Sequence, residues 1–149
     1  MGPAVSRRAL SIAITQLMPE IIRGVQLDFF VRRGVTQTQF LMLAAIHAYG
    51  ECPMSRLAAN LHVRLPTATG IIDRLARDGF VCRRQPAQDR RQVLVALTRK
   101  GQAFIRAFQA VVGRRWEVVL QALSPADLAA LYQVVAKLRQ QLQAGHDQD

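Results

Sequence analysis

The sequence has few of the residues on which catalytic, metal and disulfide sites depend. Its two cysteines, Cys52 and Cys82, are too few for a disulfide framework, and its three histidines fit no compact metal site. A glycine-rich phosphate loop, a nucleophile elbow and paired catalytic acids are all missing. We therefore expect no enzymatic activity, no cofactor and no metal ion. Both cysteines are interpreted as reduced structural residues, although oxidation of Cys82 stays open.

Aromatic residues and long apolar runs are also scarce. Phe, Trp and Tyr make up 6% of the chain, which argues against the stacking platforms of proteins that bind RNA or single strands. No apolar run is long enough to span a bilayer. Arg7 and Arg8 precede a short apolar stretch, as in a signal peptide, but no small-residue cleavage site follows. We predict a cytoplasmic protein.

Basic charge is what the chain has in excess. Lys and Arg number 20 against 10 acidic residues, a formal net charge of +10. Residues 56–100 contain ten of the basic residues and three of the acidic ones. A soluble surface usually mixes its signs more evenly, so this concentration predicts a polyanionic partner, either nucleic acid or an anionic membrane surface.

The size and the apolar pattern predict a single, mainly α domain. The chain has 149 residues, of which 50% are hydrophobic, enough for a substantial core. Apolar residues recur every three or four positions over about 5–31 and about 102–144, which predicts helices at both ends. Pro19 predicts a kink, or two abutting helices, within the first segment. Both segments carry more apolar surface than one chain can cover, so we expect them to form a dimer interface.

Local signals divide the central part of the chain, about residues 36–101, into short elements. Thr36 and Gln39 form a capping box at the start of one helix, which ends near Gly50. Pro53 is predicted as the first residue of a second, short helix. A break over residues 62–65 then separates this short helix from the next one.

A third helix and a pair of strands follow this break. The helix is predicted over about 66–78, and Gly79 suits a left-handed cap at its end. Short strands over 80–84 and 92–97 flank a polar segment that is too long for a tight hairpin. The predicted fold is mainly α with a small two- to three-stranded β wing. This order, two helices joined by a tight break and then a basic wing, is typical of a winged helix-turn-helix.

The helix over 66–78 is the predicted recognition helix. Its predicted inward face consists of Leu65, Ala68, Ile72 and Leu75. The opposite face carries small residues first and charged ones further on: Pro66, Thr67, Gly70, Asp73, Arg74 and Arg77. Small residues let the helix approach base edges in the major groove, where Thr67 can contact a base. Thr69, on the flank, can reach the DNA backbone, although ordinary helix-start chemistry explains both threonines equally well.

The predicted tip of the wing carries Asp89, Arg90 and Arg91. Arginine is favoured in a narrow minor groove because the potential there is strongly negative. Asp89 is predicted to orient an arginine, and the alternative is a solvated turn with a weak local ion pair. Contacts to phosphate, which give affinity without sequence choice, are predicted for Arg56, Arg64, Arg83, Arg84 and Lys100.

Several central segments resemble the MarR family of bacterial regulators. They are residues 57–61, 66–75, 78–83, 89–91 and 95–98, together with Gly101. The Asp-x-Arg sequence of the wing, followed by a Leu-Thr pair, is the most specific of them. The resemblance covers about residues 36–101, and the terminal helices match in placement only.

The resemblance implies a homodimer joined by its first and last helices. It also implies binding to a pseudo-palindromic operator, more often as a repressor, and release by a small phenolic or anionic ligand. The family's wing pair corresponds to Asp89 and Arg91. Its groove-facing positions correspond to Pro66, Thr67 and Gly70. Members often carry arginine at the position of Gly70, so one base contact is in doubt. Arg64 replaces the usual serine or threonine N-cap.

A ligand pocket is predicted between the helical ends and the winged part. Its predicted lining is Phe29, Arg32, Phe40, His47 and Tyr49. Arg32 can bind a carboxylate, while core packing with a surface arginine is the alternative for these residues. For the whole chain, the alternative function is a winged-helix module for protein–protein contacts or for non-specific DNA binding.

Overall fold

The computed structural model describes residues 5–22, 26–86 and 92–146. Two compact units, Met1–Val112 and Gly113–Asp149, divide the chain. The described elements are α1 (Arg7–Ile22), α2 (Gln26–Val31), α3 (Gln37–Tyr49), β1 (Cys52–Pro53), α4 (Met54–Asn60), α5 (Leu65–Arg77), β2 (Val81–Arg84), β3 (Leu94–Leu97), α6 (Arg99–Leu120) and α7 (Pro125–His146). The predicted class, mainly α with a small sheet, is confirmed. Within the described ranges, no helix has both the length and the apolar character needed to cross a membrane.

The first apolar segment is helical on both sides of residues 23–25, which lie outside the described residues, so its two predicted alternatives stay open. The hydroxyl of Ser6 accepts a hydrogen bond from the backbone N–H of Ala9 at 3.1 Å and so caps the start of α1. Pro19 lies inside α1, which continues to Ile22. The helix is therefore continuous through the proline as far as Ile22.

The capping box at the start of α3 is confirmed. The N–H of Thr36 donates to the side-chain oxygen of Gln39 at 2.8 Å, and the N–H of Gln39 donates to the Thr36 hydroxyl at 3.2 Å. These two bonds satisfy donors that a helix end otherwise leaves free. At the other end, Gly50 has a φ of +74°, which suits glycine far better than any other residue.

Pro53 is not the first residue of α4, and the prediction is wrong by one position. It is the N-cap, with φ −70° and ψ 155°, and it also belongs to the edge strand β1. Cys52 pairs with Val95, and Pro53 pairs with Leu94, in an antiparallel sheet of order β1-β3-β2. An edge strand tolerates proline because it needs no N–H on its free side. The same backbone angle then leads directly into the helix.

The start of α5 differs from the prediction at Leu65. The helix begins at Leu65 rather than Pro66, after an extended Arg64 that makes no side-chain cap, as the loss of serine or threonine implied. Leu65 is 51% exposed, whereas Ala68, Ile72 and Leu75 are fully buried. As the first residue of the helix, Leu65 lies beyond the end of the buried face and not within it.

The end of α5 is a Schellman motif, as Gly79 predicts. Gly79 has a φ of +78°. Its N–H donates to the carbonyl of Ala76 at 3.0 Å, and the N–H of Phe80 donates to the carbonyl of Leu75 at 2.8 Å. This cap turns the chain directly into β2, so the position of the wing strands depends on the end of the recognition helix.

The core of the first unit lies between α3, α4, α5, the sheet and the start of α6. Its largest fully buried side chains are Met42, Leu43, Ile46, Leu57, Ile72, Leu75, Val95 and Cys52. A second group, from α2, α3 and α6, consists of packed phenylalanines: Phe29, Phe30, Phe40, Phe104 and Phe108. Contacts with α3, α4 and β2 hold α5 by one face and leave its other face to solvent.

The second unit contains the end of α6 and all of α7. The hydroxyl of Ser124 accepts a hydrogen bond from the N–H of Asp127 at 3.2 Å, and Pro125 is the first residue of the helix, as predicted. The predicted apolar stripe of α7 is 39–72% exposed and consists of Leu128, Leu131, Tyr132, Val135, Leu138 and Leu142.

Candidate nucleic-acid interface

One face of α5 presents small and basic side chains to solvent. The exposed positions include Pro66, Thr67, Gly70, Arg74 and Arg77. A Cβ added to Gly70 would meet no atom within 4 Å, so internal packing does not require glycine at this position. Because the opposite face is buried in the core, this face is fixed in direction. It can therefore approach a large partner without disturbing the fold.

Some arginines on and near α5 have an ion-pair partner within the described residues, and others do not. Among the residues that the structure describes, Arg64, Arg74 and Arg77 make no ion pair. Arg83 of β2 instead pairs with Asp73 of α5, with 2.7 Å between Nη2 and Oδ1. This pair joins the first wing strand to the recognition helix. It leaves Arg83 less available for phosphate than the sequence suggested.

Arg84 and Lys100, both predicted to contact phosphate, also have internal partners. Nη1 of Arg84 lies 2.9 Å from Oε1 of Glu51. The ammonium of Lys100 donates to the carbonyl of Asp78 at 2.6 Å and lies 4.4 Å from the centroid of the Phe80 ring. A cation at the C-terminus of a helix opposes the negative end of its dipole, so Lys100 stabilises the end of α5.

Arg56 is held against an aromatic ring. Its Cζ lies 4.4 Å from the centroid of Tyr49, whose hydroxyl accepts a hydrogen bond from the amide of Asn60. Cation–π contact restricts the arginine but leaves its donors in solvent. Tyr49 therefore lies beside α4, next to a predicted phosphate contact.

The two threonines of α5 behave differently. The hydroxyl of Thr69 donates to the carbonyl of Leu65 at 2.9 Å, a bond within the helix. Thr67 makes no side-chain hydrogen bond within the described ranges, so its hydroxyl is available to a partner. The wing-tip predictions, Asp89, Arg90 and Arg91, lie outside the described residues.

The residues assigned to the predicted ligand pocket lie in several different surroundings. Phe29 and Phe40 belong to the phenylalanine group, where Phe29 lies 5.2 Å from Phe104 and Phe40 lies 4.4 Å from Phe108, between ring centroids. Both rings pack in the core of the first unit. Arg32 is an exposed residue, although it has an interaction partner.

His47 of that set lines an open cleft. An open cleft of about 440 Å³ lies between α3, the sheet and the start of α6. Sequence reasoning missed the other polar residues of this cleft, Glu51, Gln102 and Arg106. The only signal available was the spacing of four between Gln102 and Arg106, which places them on one face of a helix but does not show what lies opposite.

The two cysteines lie in different surroundings. Cys52 is buried, and this burial raises the pKa of its thiol, while the nearby Arg56 guanidinium opposes the rise. A thiol of raised pKa stays protonated at neutral pH and is a poor nucleophile, as a structural cysteine should be. Cys82 of β2 is half-buried. In the described ranges no group of three or more His, Cys, Asp or Glu residues is placed to hold a metal ion.

The described residues form two helices, α4 and α5, followed by the strands of an antiparallel sheet, and the exposed face of α5 carries basic side chains. This arrangement defines a DNA-binding winged helix-turn-helix protein. Residues 35–93 match the model of the MarR family. This match confirms the resemblance noted above for residues 35–93, which are similar to the MarR family. Proteins of this family are transcriptional regulators that bind DNA and are not enzymes.

Two relatives come from Bacillus subtilis strain 168. The uncharacterised HTH-type transcriptional regulator YfiV is 27% identical over 114 residues, which span 76% of this chain and 71% of that protein. The HTH-type transcriptional repressor YetL is 35% identical over 82 residues, 54% of this chain and 49% of that protein. The match therefore spans about half the length of YetL.

Solved structures extend the likeness of fold to nearly the whole chain. The crystal structure of RV1404 from Mycobacterium tuberculosis matches with a TM-score of 0.74 at 18% identity, covering 94% of this chain and 97% of that one. The S. aureus MepR F27L mutant, bound to an oligodeoxyribonucleotide, matches with a TM-score of 0.64 at 19% identity, covering 89% and 97%. At these identities the likeness concerns the fold.

Proposed function

We propose that this chain is a homodimeric, sequence-specific regulator that binds a pseudo-palindromic operator and represses transcription. The observation that carries the proposal is the exposed face of α5, where Thr67, Gly70, Arg74 and Arg77 point away from a fully buried opposite face. A helix with small residues first and arginines beyond fits the major groove of duplex DNA. In this proposal residues of about 36–101 form the winged unit.

Dimerisation through both ends of the chain, about 5–31 and 102–144, is supported by exposed apolar side chains. On α1 they are Leu10, Ile12, Ile14, Leu17 and Met18, each 40–52% exposed. The stripe on α7 is exposed to a similar degree. Apolar surface of this extent usually marks an interface in a soluble protein. A two-fold axis would then place two copies of α5 about 34 Å apart, one turn of DNA.

Repression is supported by the name of YetL, a transcriptional repressor, and DNA binding by the oligonucleotide complex of the MepR mutant. We place the protein in the cytoplasm, where an operator is accessible. We also propose that a small phenolic or anionic effector binds the protein and weakens its binding to the operator.

The test is a titration of purified protein against its own upstream promoter fragment and a scrambled duplex, each at two salt concentrations. Tighter binding to the promoter with a steep salt slope is the expected result, because phosphate contacts release counterions. Equal binding to both duplexes would favour non-specific binding. No binding to either at low salt would reject the proposal and favour a protein-contact module.

Replacing Arg74 tests the recognition helix. Arg74→Gln is expected to weaken operator binding by about 1–3 kcal/mol, since the side chain is exposed and has no ion pair among the described residues. Arg115→Gln, an exposed arginine in the second unit, is the matched control. Anisotropy titrations measure both. Equal affinities for the two variants would remove Arg74 from the interface.

The wing makes a separate prediction. Arg91→Ala is expected to weaken operator binding by about 1–3 kcal/mol without loss of the dimer, because the sequence predicts Arg91 at the tip of the wing and arginine suits a narrow minor groove. The same titration, together with light scattering for the oligomeric state, checks this. Unchanged affinity would exclude Arg91 from the mechanism while leaving α5 as the reader of sequence.

A further inference from the structure

Three polar side chains meet where α3 packs against α4: Tyr49, Arg56 and Asn60. Tyr49 is the last residue of α3 and is half-buried. Arg56 and Asn60 are exposed and lie four residues apart, on one side of α4. Tyr49, which the sequence suggested for a ligand pocket, thus contacts two side chains of the first helix of the helix-turn-helix.

The contacts among these side chains hold the arginine through the tyrosine ring. The amide of Asn60 donates a hydrogen bond to the Tyr49 hydroxyl, and Cζ of Arg56 lies 4.4 Å from the centroid of the Tyr49 ring. A guanidinium that stacks on an aromatic face keeps the N–H donors at its edge accessible. An arginine that is already held in this way loses less rotamer freedom when it binds a partner. Arg56 is therefore preorganised for a partner from solvent.

The charges near Arg56 favour an anion as that partner. Helix α4 contains no acidic residue, and Arg56 makes no ion pair within the described ranges. A planar guanidinium matches two oxygens of a phosphate. Helix α4 also packs against α5, and in a helix-turn-helix the first helix crosses the DNA backbone while the second enters the major groove. A duplex bound by α5 would therefore bring phosphates towards α4.

We propose that Tyr49 is a positioning residue for DNA binding: its ring holds the Arg56 guanidinium for a backbone phosphate, and the amide of Asn60 holds the ring. The phosphate contact rests on the proposed function. The contact between ring and guanidinium belongs to the free chain and stands on the structure alone. Neither Tyr49 nor Asn60 needs to touch the DNA in this arrangement.

Anisotropy titrations of the promoter fragment at several salt concentrations test this role. Tyr49→Leu removes the ring and is expected to weaken binding about two- to fivefold, the effect of losing one exposed cation–π contact. Tyr49→Phe keeps the ring and is the matched control, with an affinity close to that of the unmodified chain. Arg56→Gln should weaken binding and lower the slope of log affinity against log salt by about one. Equal affinities of the leucine and phenylalanine variants would overturn the proposal.

A double variant separates positioning from a general loss of folding. If the ring acts only through Arg56, Tyr49→Leu should have no further effect on DNA affinity in a chain that already carries Arg56→Gln. Partial unfolding would lower the affinity in both backgrounds alike. A loss that persists in the Arg56→Gln background would therefore refute the positioning role.

Duplexes in which single phosphates are replaced by neutral methylphosphonates locate the contact. The unmodified chain should lose affinity at a position in each half-site where Arg56→Gln shows no loss. Losses at the same positions in both proteins would place Arg56 away from the backbone and overturn the phosphate contact.

The free chain supplies a measurement that does not depend on DNA. The NMR resonance of the Arg56 Nε–H group is expected to move when Tyr49→Leu removes the ring current, and to move far less in Tyr49→Phe. An unchanged resonance in Tyr49→Leu would overturn the positioning by Tyr49. Failure of the unmodified chain to bind any duplex at low salt would instead reject the proposed function, and with it the phosphate contact, whatever the resonance shows.

Discussion

A chain that ends after Ala122 is expected to be monomeric or insoluble, and to bind its operator at least about a hundredfold more weakly than the full chain. The truncation removes α7 and with it an apolar stripe whose members are 39–72% exposed. Loss of the second recognition helix removes the advantage of binding two half-sites at once. Light scattering and promoter titration measure the two effects.

A single substitution tests the same interface more sharply. Val135 is 53% exposed, so Val135→Asp should cost the isolated chain little, yet it would bury an unpaired carboxylate in a dimer. Gln133→Asp adds the same charge on the opposite side of α7 and is the control. Sedimentation should show dissociation of the Val135→Asp dimer at concentrations where Gln133→Asp remains dimeric. Equal dissociation of the two variants would refute the role of this stripe.

Gly101→Ala is expected to lower the free energy of unfolding by about 3 kcal/mol, the upper end of the usual cost of overpacking. A Cβ on Gly101 would lie 2.2 Å from the carbonyl oxygen of Phe80 and 3.2 Å from Cδ2 of Leu97. The carbonyl cannot withdraw freely, because it accepts hydrogen bonds from the N–H and the hydroxyl of Thr98, at 3.0 and 3.1 Å. Relief of the contact must separate α6 from the start of β2.

Thermal unfolding at equal protein concentration measures this effect, and the expected fall in Tm is about 6–12 °C. Gly113→Ala, in the same helix, is the control because an added Cβ there meets nothing within 4 Å. Its expected effect is a gain of about 0.5–1 kcal/mol from the better helix propensity of alanine. A loss of stability common to both variants would show that the close approach at Gly101 is not the cause.

The sequence by itself determined the features that depend on a few neighbouring residues. The capping box of Thr36 and Gln39 and the left-handed cap at Gly79 follow from bonds that close within five residues. The buried face of α5 follows from helical periodicity, which places Ile72 and Leu75 together whatever they pack against. The order of these elements, with the Asp-x-Arg and Leu-Thr motifs, was enough to predict the fold class and the resemblance to the MarR family.

Only the tertiary structure decided which partners meet across the chain. Arg84 meets Glu51, 33 residues earlier, and Lys100 meets the carbonyl of Asp78, 22 residues earlier. Local sequence cannot select such pairs, since every arginine near the wing is an equally good candidate for phosphate until packing fixes its direction. Local sequence likewise cannot show that Pro53 belongs to a strand, because that depends on β3 lying beside it. Nor can it show the cleft beside Arg106. The cleft exists because three separate elements approach one another, a property that no single segment carries.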